Sequence, residues 1–190
     1  MQKKICVFSS SSDAVAPIFF EAAFELGTLI AKRGYTLIYG GSNVGLMGAI
    51  ARSAHTNGGK VVGVIPKSMQ ERGIAHKDLD ELIVTNSLHE RKAIMEERAD
   101  AFIGLPGGFG TLEEMFEVLT LKQLNFHDKP VVFINTNGFY NHLIDLFDCI
   151  YKERFAKSDY RKLYFIAPDT KSSFSYIEAY QPIKFPNKWF

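Results

Sequence analysis

Residues 101–125 read Ala-Phe-Ile-Gly-Leu-Pro-Gly-Gly-Phe-Gly-Thr-Leu-Glu-Glu-Met-Phe-Glu-Val-Leu-Thr-Leu-Lys-Gln-Leu-Asn. The apolar run Ala101–Leu105 has the length of a buried strand. Three glycines in four positions follow, Gly107, Gly108 and Gly110, and from Thr111 to Asn125 the apolar spacing turns helical. Strand, glycine turn and helix in that order form one half of a βαβ unit.

The same pattern extends in both directions. Strands are expected at Ile5–Phe8, Tyr35–Tyr39, Val61–Ile65, Glu81–Val84, Val131–Asn135 and Leu163–Ala167. Helices are expected at Pro17–Arg33, Val44–Thr56, Ser87–Ala99, Tyr140–Phe155 and Thr170–Tyr180. Apolar strands that alternate with helices imply right-handed crossovers and a parallel sheet covered on both faces. The chain of 190 residues fits one domain, 1–190. Its Pro- and aromatic-rich tail, Gln181–Phe190, is expected to lie along the surface without regular structure.

Net charge is +1, which argues against a protein built to grip a nucleic-acid backbone. Cys6 and Cys149 are the only cysteines, so neither a disulfide framework nor a CxxC zinc site is available. The N-terminal apolar stretch is too short for a signal peptide, and no run approaches a membrane span. A soluble, cytoplasmic protein is the expectation.

In folds of this class ligands bind at the carboxyl ends of the strands. Three junctions lie there: Ser9–Asp13, Gly40–Gly48 and Pro106–Thr111. Glycine lets backbone approach a ligand, and the first N–H groups of a helix offer unpaired donors at the positive end of its dipole. Two glycine-rich junctions, including Gly41, Ser42 and Gly45 in the first, suggest a phosphate cradle of nucleotide size. Neither has the GxGxxG or GxxxxGK[ST] spacing. Close helix–sheet packing is the simpler reading of Gly48.

Arg91 falls on a partly apolar face of its helix, between Leu88 and Met95, where it either snorkels or meets an anion. On the helix after Pro106, Leu112, Met115, Phe116 and Leu119 read as the core stripe. Glu114, Val118 and Leu121 read as a second buried face. A carboxylate at the glycine end of such a face needs partners or a task. Glu113 and Glu117 read more simply as complements to the helix dipole. One sheet buries one side of a helix, so the second face is expected to meet a two-fold related copy, with the tail Gln181–Phe190 as the competing cover.

These residues resemble the LOG family, the cytokinin riboside 5′-monophosphate phosphoribohydrolases, whose bacterial members often carry the label lysine decarboxylase. The PGGxGTxxE signature stands as Pro106–Glu114 and the ERKxxM element as Glu90–Met95. The loop typically GGGxxGLMG stands as Gly40–Gly48. Ser42 replaces the usual third glycine and Leu88 the usual methionine. Gly73 stands where members commonly carry a glutamate thought to meet the base.

The resemblance implies a Rossmann-like, doubly wound parallel sheet with helices on both faces. It implies a homodimer, with the site near the subunit interface, that splits purine nucleoside 5′-monophosphates to free base and ribose 5-phosphate. No cofactor and no metal are implied. By position, Arg91 and Glu114 are the catalytic pair. Arg91, Lys92, Gly107, Gly108, Phe109, Gly110, Thr111, Leu112, Glu113, Glu114 and Thr120 line the nucleotide site. The chief rival is a non-catalytic nucleotide or molybdenum-cofactor carrier on the same fold. A pyridoxal-phosphate decarboxylase lacks a lysine in a suitable context, and single-strand DNA binding is disfavoured by the charge.

Overall fold

A computed structural model of the chain describes residues 3–76 and 78–185. Seven strands form one sheet: β1 (Lys4–Phe8), β2 (Thr36–Tyr39), β3 (Lys60–Pro66), β4 (Glu81–Thr85), β5 (Ala101–Gly104), β6 (Val131–Ile134) and β7 (Phe165–Ala167). Their order is β4-β3-β2-β1-β5-β6-β7, and every pairing is parallel. The order reverses between β1 and β5, which makes the crevice above those two strands the expected ligand position.

The helices are α1 (Pro17–Lys32), α2 (Gly45–Thr56), α3 (Lys67–Gln70), α4 (Leu88–Arg98), α5 (Phe109–Gln123), α6 (Asn141–Lys152) and α7 (Thr170–Ala179). Side chains alternate across each strand. Ile5 and Val7 therefore enter the core under α1, α2 and α7, while Cys6 and Phe8 enter the one under α4, α5 and α6. The expected doubly wound architecture is the observed one. The single turn α3 was not expected from the sequence, being too short to show a period. Among the described residues no helix is long and apolar enough to cross a membrane.

The expected faces of α5 are corrected by the structure. Its buried residues are Thr111, Glu114, Met115, Val118, Leu119 and Lys122, which recur at i, i+3, i+4, i+7, i+8 and i+11. Val118 lies wholly within the chain's own core, while Phe116 is 37 % exposed. Glu114 and Val118 thus share the sheet-facing side, and no second buried face remains to demand a partner. Met115 and Leu119 of the expected core stripe are buried, Leu112 packs half-buried against the same core, and only Phe116 turns largely outward, touching Phe147 by its edge; the inward series also takes in Glu114, Val118 and Lys122.

The tail does cover part of α5, at its far end. Phe185 is buried and trades hydrogen bonds with Asn125 through Nδ2 (3.2 Å) and Oδ1 (3.1 Å). The Lys122 ammonium lies 4.7 Å from the centre of the Tyr180 ring. Trp189 and Phe190, also placed in that cover by the sequence, lie outside the described residues. Val118→Asp is expected to destabilise the monomeric fold by at least ~3 kcal/mol in urea unfolding, because it buries an unpaired charge. Leu121→Asp, at a half-exposed position, is expected to cost under ~1.5 kcal/mol.

Candidate active site

The site is built from four strand ends. β3 supplies a carbonyl, β2 runs into the first glycine loop, β1 runs into Ser9, and β5 runs into the second glycine loop. Helix α4 starts sharply: the Ser87 hydroxyl accepts from Glu90 N at 3.1 Å, and the Glu90 carboxylate accepts from Asn86 N at 2.7 Å. This is close to a capping box. It fixes the first turn, and with it the next residue, Arg91.

Arg91 is 8 % exposed. Its Nε donates to the carbonyl of Val64 at 3.0 Å, and its Nη1 donates to Glu114 Oε1 at 2.5 Å. A Cβ on Gly40 would stand 2.1 Å from Arg91 Nη2. The first glycine of the loop is therefore needed to admit the guanidinium, a requirement invisible in the sequence. Glu114 is 8 % exposed as well. Burial raises its carboxyl above the usual carboxylate range, against the pull of Arg91. A carboxylate whose pKa is raised is a stronger base than an ordinary glutamate.

Lys92 lies beside this pair without joining it. Its Nζ meets Glu113 Oε1, and Glu117 Oε2 at 2.6 Å. Burial pulls its pKa down, but the hydrogen bonds of those two carboxylates outweigh it and leave the ammonium raised. Glu113 and Glu117 thus serve as partners of Lys92, rather than as the dipole complements their sequence position suggested. Glu96, one turn further along α4, is pushed up to about 7 by burial and then by Glu117.

The second glycine loop opens onto α5. The Tyr140 hydroxyl, buried beneath it, donates to the carbonyl of Leu105 at 2.7 Å and fixes where the loop departs. A Cβ on Gly107 would meet Thr111 Oγ1 at 2.1 Å, whereas Gly108 and Gly110 face open space. No side chain caps α5, so its first N–H groups remain available to an anion. Phe109 is 93 % exposed, Thr111 is buried and Leu112 is half-buried.

The first loop is less open than expected. Gly41 has φ +73° against Ile65 and Val64. Gly45 has φ +60°, donates its N–H to Asp13 Oδ1 at 2.9 Å, and has no room for a Cβ beside Ser10–Ser12. Ser42 is 3 % exposed and pairs with Ala75, its hydroxyl donating to Ile74 O at 3.4 Å. Gly48 makes room for Asn43 and Arg52 rather than for the sheet. Thr120 is exposed on the outer side of α5, where its hydroxyl donates to Phe116 O.

The structure therefore gathers Arg91, Glu114 and the α5 N-terminus, and sets Thr120 apart from them within one chain. Sequence reasoning missed Gly40, the Val64 carbonyl and Tyr140. Ser9, which opens the first of the three expected junctions, follows β1 with a hydroxyl that is buried and without a hydrogen-bond partner among the described residues.

A strand-order reversal between β1 and β5, an uncapped helix N-terminus beside it and a buried carboxylate–guanidinium pair are the marks of the ligand-binding end of a parallel α/β protein. Residues 47–177 match the family model described as "Possible lysine decarboxylase". Two cytokinin riboside 5′-monophosphate phosphoribohydrolases of Arabidopsis thaliana are 43 % identical over 180 residues and 39 % over 181. Each alignment covers 95 % of this chain, with 83 % and 79 % of the relatives. The chain belongs to this family, the LOG family. Among solved structures, the molybdenum cofactor binding protein from Rippkaea orientalis superposes with a TM-score of 0.73 at 24 % identity, covering 94 % of this chain and 97 % of that one. That likeness concerns the fold.

Glu96 sets a measurable pH effect. Its folded pKa of about 7 lies above the ordinary 4.5, so between those values the folded state holds a proton that the unfolded state has lost. Stability conferred by this group is then present below pH 4.5 and lost as pH rises through about 7. Glu96→Gln is expected to raise the melting temperature at pH 8 and leave it nearly unchanged at pH 4.5, read by circular dichroism.

Proposed function

We propose that this protein hydrolyses the N-glycosidic bond of purine riboside 5′-monophosphates, of the cytokinin type or AMP itself, releasing the free base and ribose 5-phosphate. The reading rests on one observation above the others: a buried carboxylate, Glu114, held by Arg91 in the second turn of a helix whose N-terminus is uncapped. The names of the Arabidopsis relatives support it.

Breaking the bond between C1′ and the base leaves positive charge on the ribose, as in glycoside hydrolysis. The Glu114 carboxylate stabilises that charge and takes a proton from the attacking water; the water oxygen bonds to C1′. The bonding pair leaves with the base, which ends carrying a proton, so the sum is one water consumed. Arg91 stays charged throughout and acts as an anchor for Glu114 and for substrate oxygens, not as an acid. The 5′-phosphate is received by the glycine-rich turn Gly107–Gly110 and the first N–H groups of α5. No step calls on a metal or cofactor.

The working form is a homodimer. Leu88 on α4 and Phe109 and Phe116 on α5 are exposed, the kind of apolar side chains a second copy covers. Thr120 lies on the outer side of α5, so it enters a nucleotide site only from a neighbouring chain.

Two measurements test this. AMP-like monophosphates are expected to react with a kcat/KM far above that of the matching nucleosides, since remote phosphate binding supports the transition state. Equal values for AMP and adenosine would sink the proposal, and tight binding with no released base would point to a carrier. Glu114→Gln is expected to lower kcat by ~10²–10⁴-fold with the fold intact. Glu113→Gln, which loses only a partner of Lys92, is expected to lower it by less than ~10-fold.

A further inference from the structure

A cleft of about 480 Å³ lies at the amino-terminal edge of the sheet, opposite the end that carries Arg91 and Glu114. The strand register builds it. Lys4 stands beside Thr36, and Thr36 beside Lys60, so three neighbouring strands begin in one row. Side chains alternate along a strand. Cys6, Ile38 and Val62, two residues further on, are packed in the core under α4, so Lys4, Thr36 and Lys60 point to that same face. Neighbouring strands are ~4.8 Å apart, which sets the Lys4 and Lys60 backbones ~10 Å from one another with Thr36 between. α4 ends at Arg98, on the rim of the cleft. Thr36, Ile38 and Val62 are its nearly buried floor, and Lys4, Lys60 and Arg98 stand exposed around them.

The charges of the lining do not balance. Lys3, Lys4, Lys60 and Arg98 stand against Glu81 and Asp100. Four cations less two carboxylates leave two positive charges, in a chain whose whole net charge is +1. Both carboxylates are already engaged: Asp100 accepts from Lys4 N at 2.8 Å, and Glu81 accepts from Arg98 Nη1 at 2.8 Å. Asp80, just before β4, accepts from Val61 N at 2.7 Å. The ammonium groups of Lys3, Lys4 and Lys60 meet no carboxylate among the described residues. The carbonyl end of α4 opposes an anion here, and Arg98 in its last turn offsets that. Like charges gathered on one face repel, and an anion between them turns the repulsion into attraction.

We propose that this cleft is an anion site that takes a phosphate group, as inorganic phosphate or as a small phosphate monoester, between Lys4, Lys60 and Arg98. Two positive charges match a phosphate dianion. Lysines hold such a group as point charges, and a guanidinium that spends one N–H on Glu81 keeps others to donate. The volume is that of a small-molecule pocket, larger than a phosphate, and leaves room for the organic part of a monoester. The site is separate from the nucleotide crevice. Lys60 lies four residues before Val64, whose carbonyl holds Arg91, which is ~13 Å of strand. It does not depend on the proposed reaction.

The test is a titration of the whole chain followed on backbone amide resonances. Thr36, Lys60 and Val61 report this cleft, and Gly108, Gly110 and Thr111 report the nucleotide site. Inorganic phosphate is expected to shift the first set saturably, with a Kd of ~1 mM. The two sets are read separately, so a failure at the nucleotide site leaves this result standing. Lys4→Gln and Lys60→Gln, at exposed positions, are each expected to weaken binding at the first set by ~3-fold or more. A ribose 5-phosphate arm identifies the source: saturation at lower concentration than phosphate assigns a monoester, and the reverse assigns the free ion. The proposal is overturned if Thr36, Lys60 and Val61 show no saturable shift up to ~50 mM phosphate. It is equally overturned if chloride at matched ionic strength gives the same response, or if both lysine variants titrate like the unsubstituted chain.

Discussion

A guanidinium and a carboxylate, each about a tenth exposed, meet at 2.5 Å between α4 and α5. Desolvating two charges is expensive, and the pair is tolerable only because Arg91 also reaches the Val64 carbonyl. Truncating either partner to an apolar side chain costs ~3–5 kcal/mol, because the survivor is left charged and without a hydrogen bond; an isosteric glutamine at Glu114 keeps the acceptor for Arg91 Nη1. Much of the surrounding structure follows from this demand. Gly40 lacks a side chain because the guanidinium occupies that volume. Ser87 and Glu90 set the first turn of α4 so that Arg91 arrives at the right height. Tyr140 pins Leu105, from which the chain turns through the glycines toward Glu114.

The two helices carry a second charge system with a different character. Lys92 bridges Glu113 and Glu117, of which Glu113 is largely open to solvent. Lys92 is itself buried, so its ammonium depends on these two carboxylates. Their value here is in arrangement: they satisfy the lysine without drawing Glu114 away from Arg91. Adjacent residues on each helix, Arg91 with Lys92 and Glu113 with Glu114, are thereby sorted into a pair buried on both sides and a pair whose carboxylate side is open to solvent.

The fold was legible because a doubly covered parallel sheet writes itself plainly. Ile5–Phe8, Val131–Ile134 and their neighbours are short apolar runs between helical periods, and glycines punctuate the strand ends. Arg91 and Glu114 were legible through a different signal, polar residues at positions where apolar ones are cheaper. The orientation of α5 was not. Its inward series includes Glu114 and Lys122 beside Met115 and Leu119, and its outward side includes Phe116, so hydrophobicity located the inward face only in part and split Val118 from it. Gly40 and Ser42 were also hidden. What decides them is a guanidinium 51 positions beyond Gly40 and a carbonyl 32 positions beyond Ser42, and no local pattern carries such distances.

The place of β1 has a consequence for how the chain reaches this structure. β1 is the first strand made and a central one in the finished sheet, between β2 and β5. Its second neighbour arrives about a hundred residues later, when Asp100 accepts from Lys4 N and Ile5 pairs with Ala101. During synthesis the β1–β4 half can assemble, but it leaves one edge of a wholly apolar strand, Ile5–Phe8, without a hydrogen-bonding partner. Long-range parallel pairing is slow to form, and an apolar edge that waits for it is sticky. The ribosome extends a chain at ~5–20 residues per second, so this edge stays open for several seconds in each molecule made. The same strand that organises the crevice is thus the segment most in need of protection from other nascent chains before β5 closes over it.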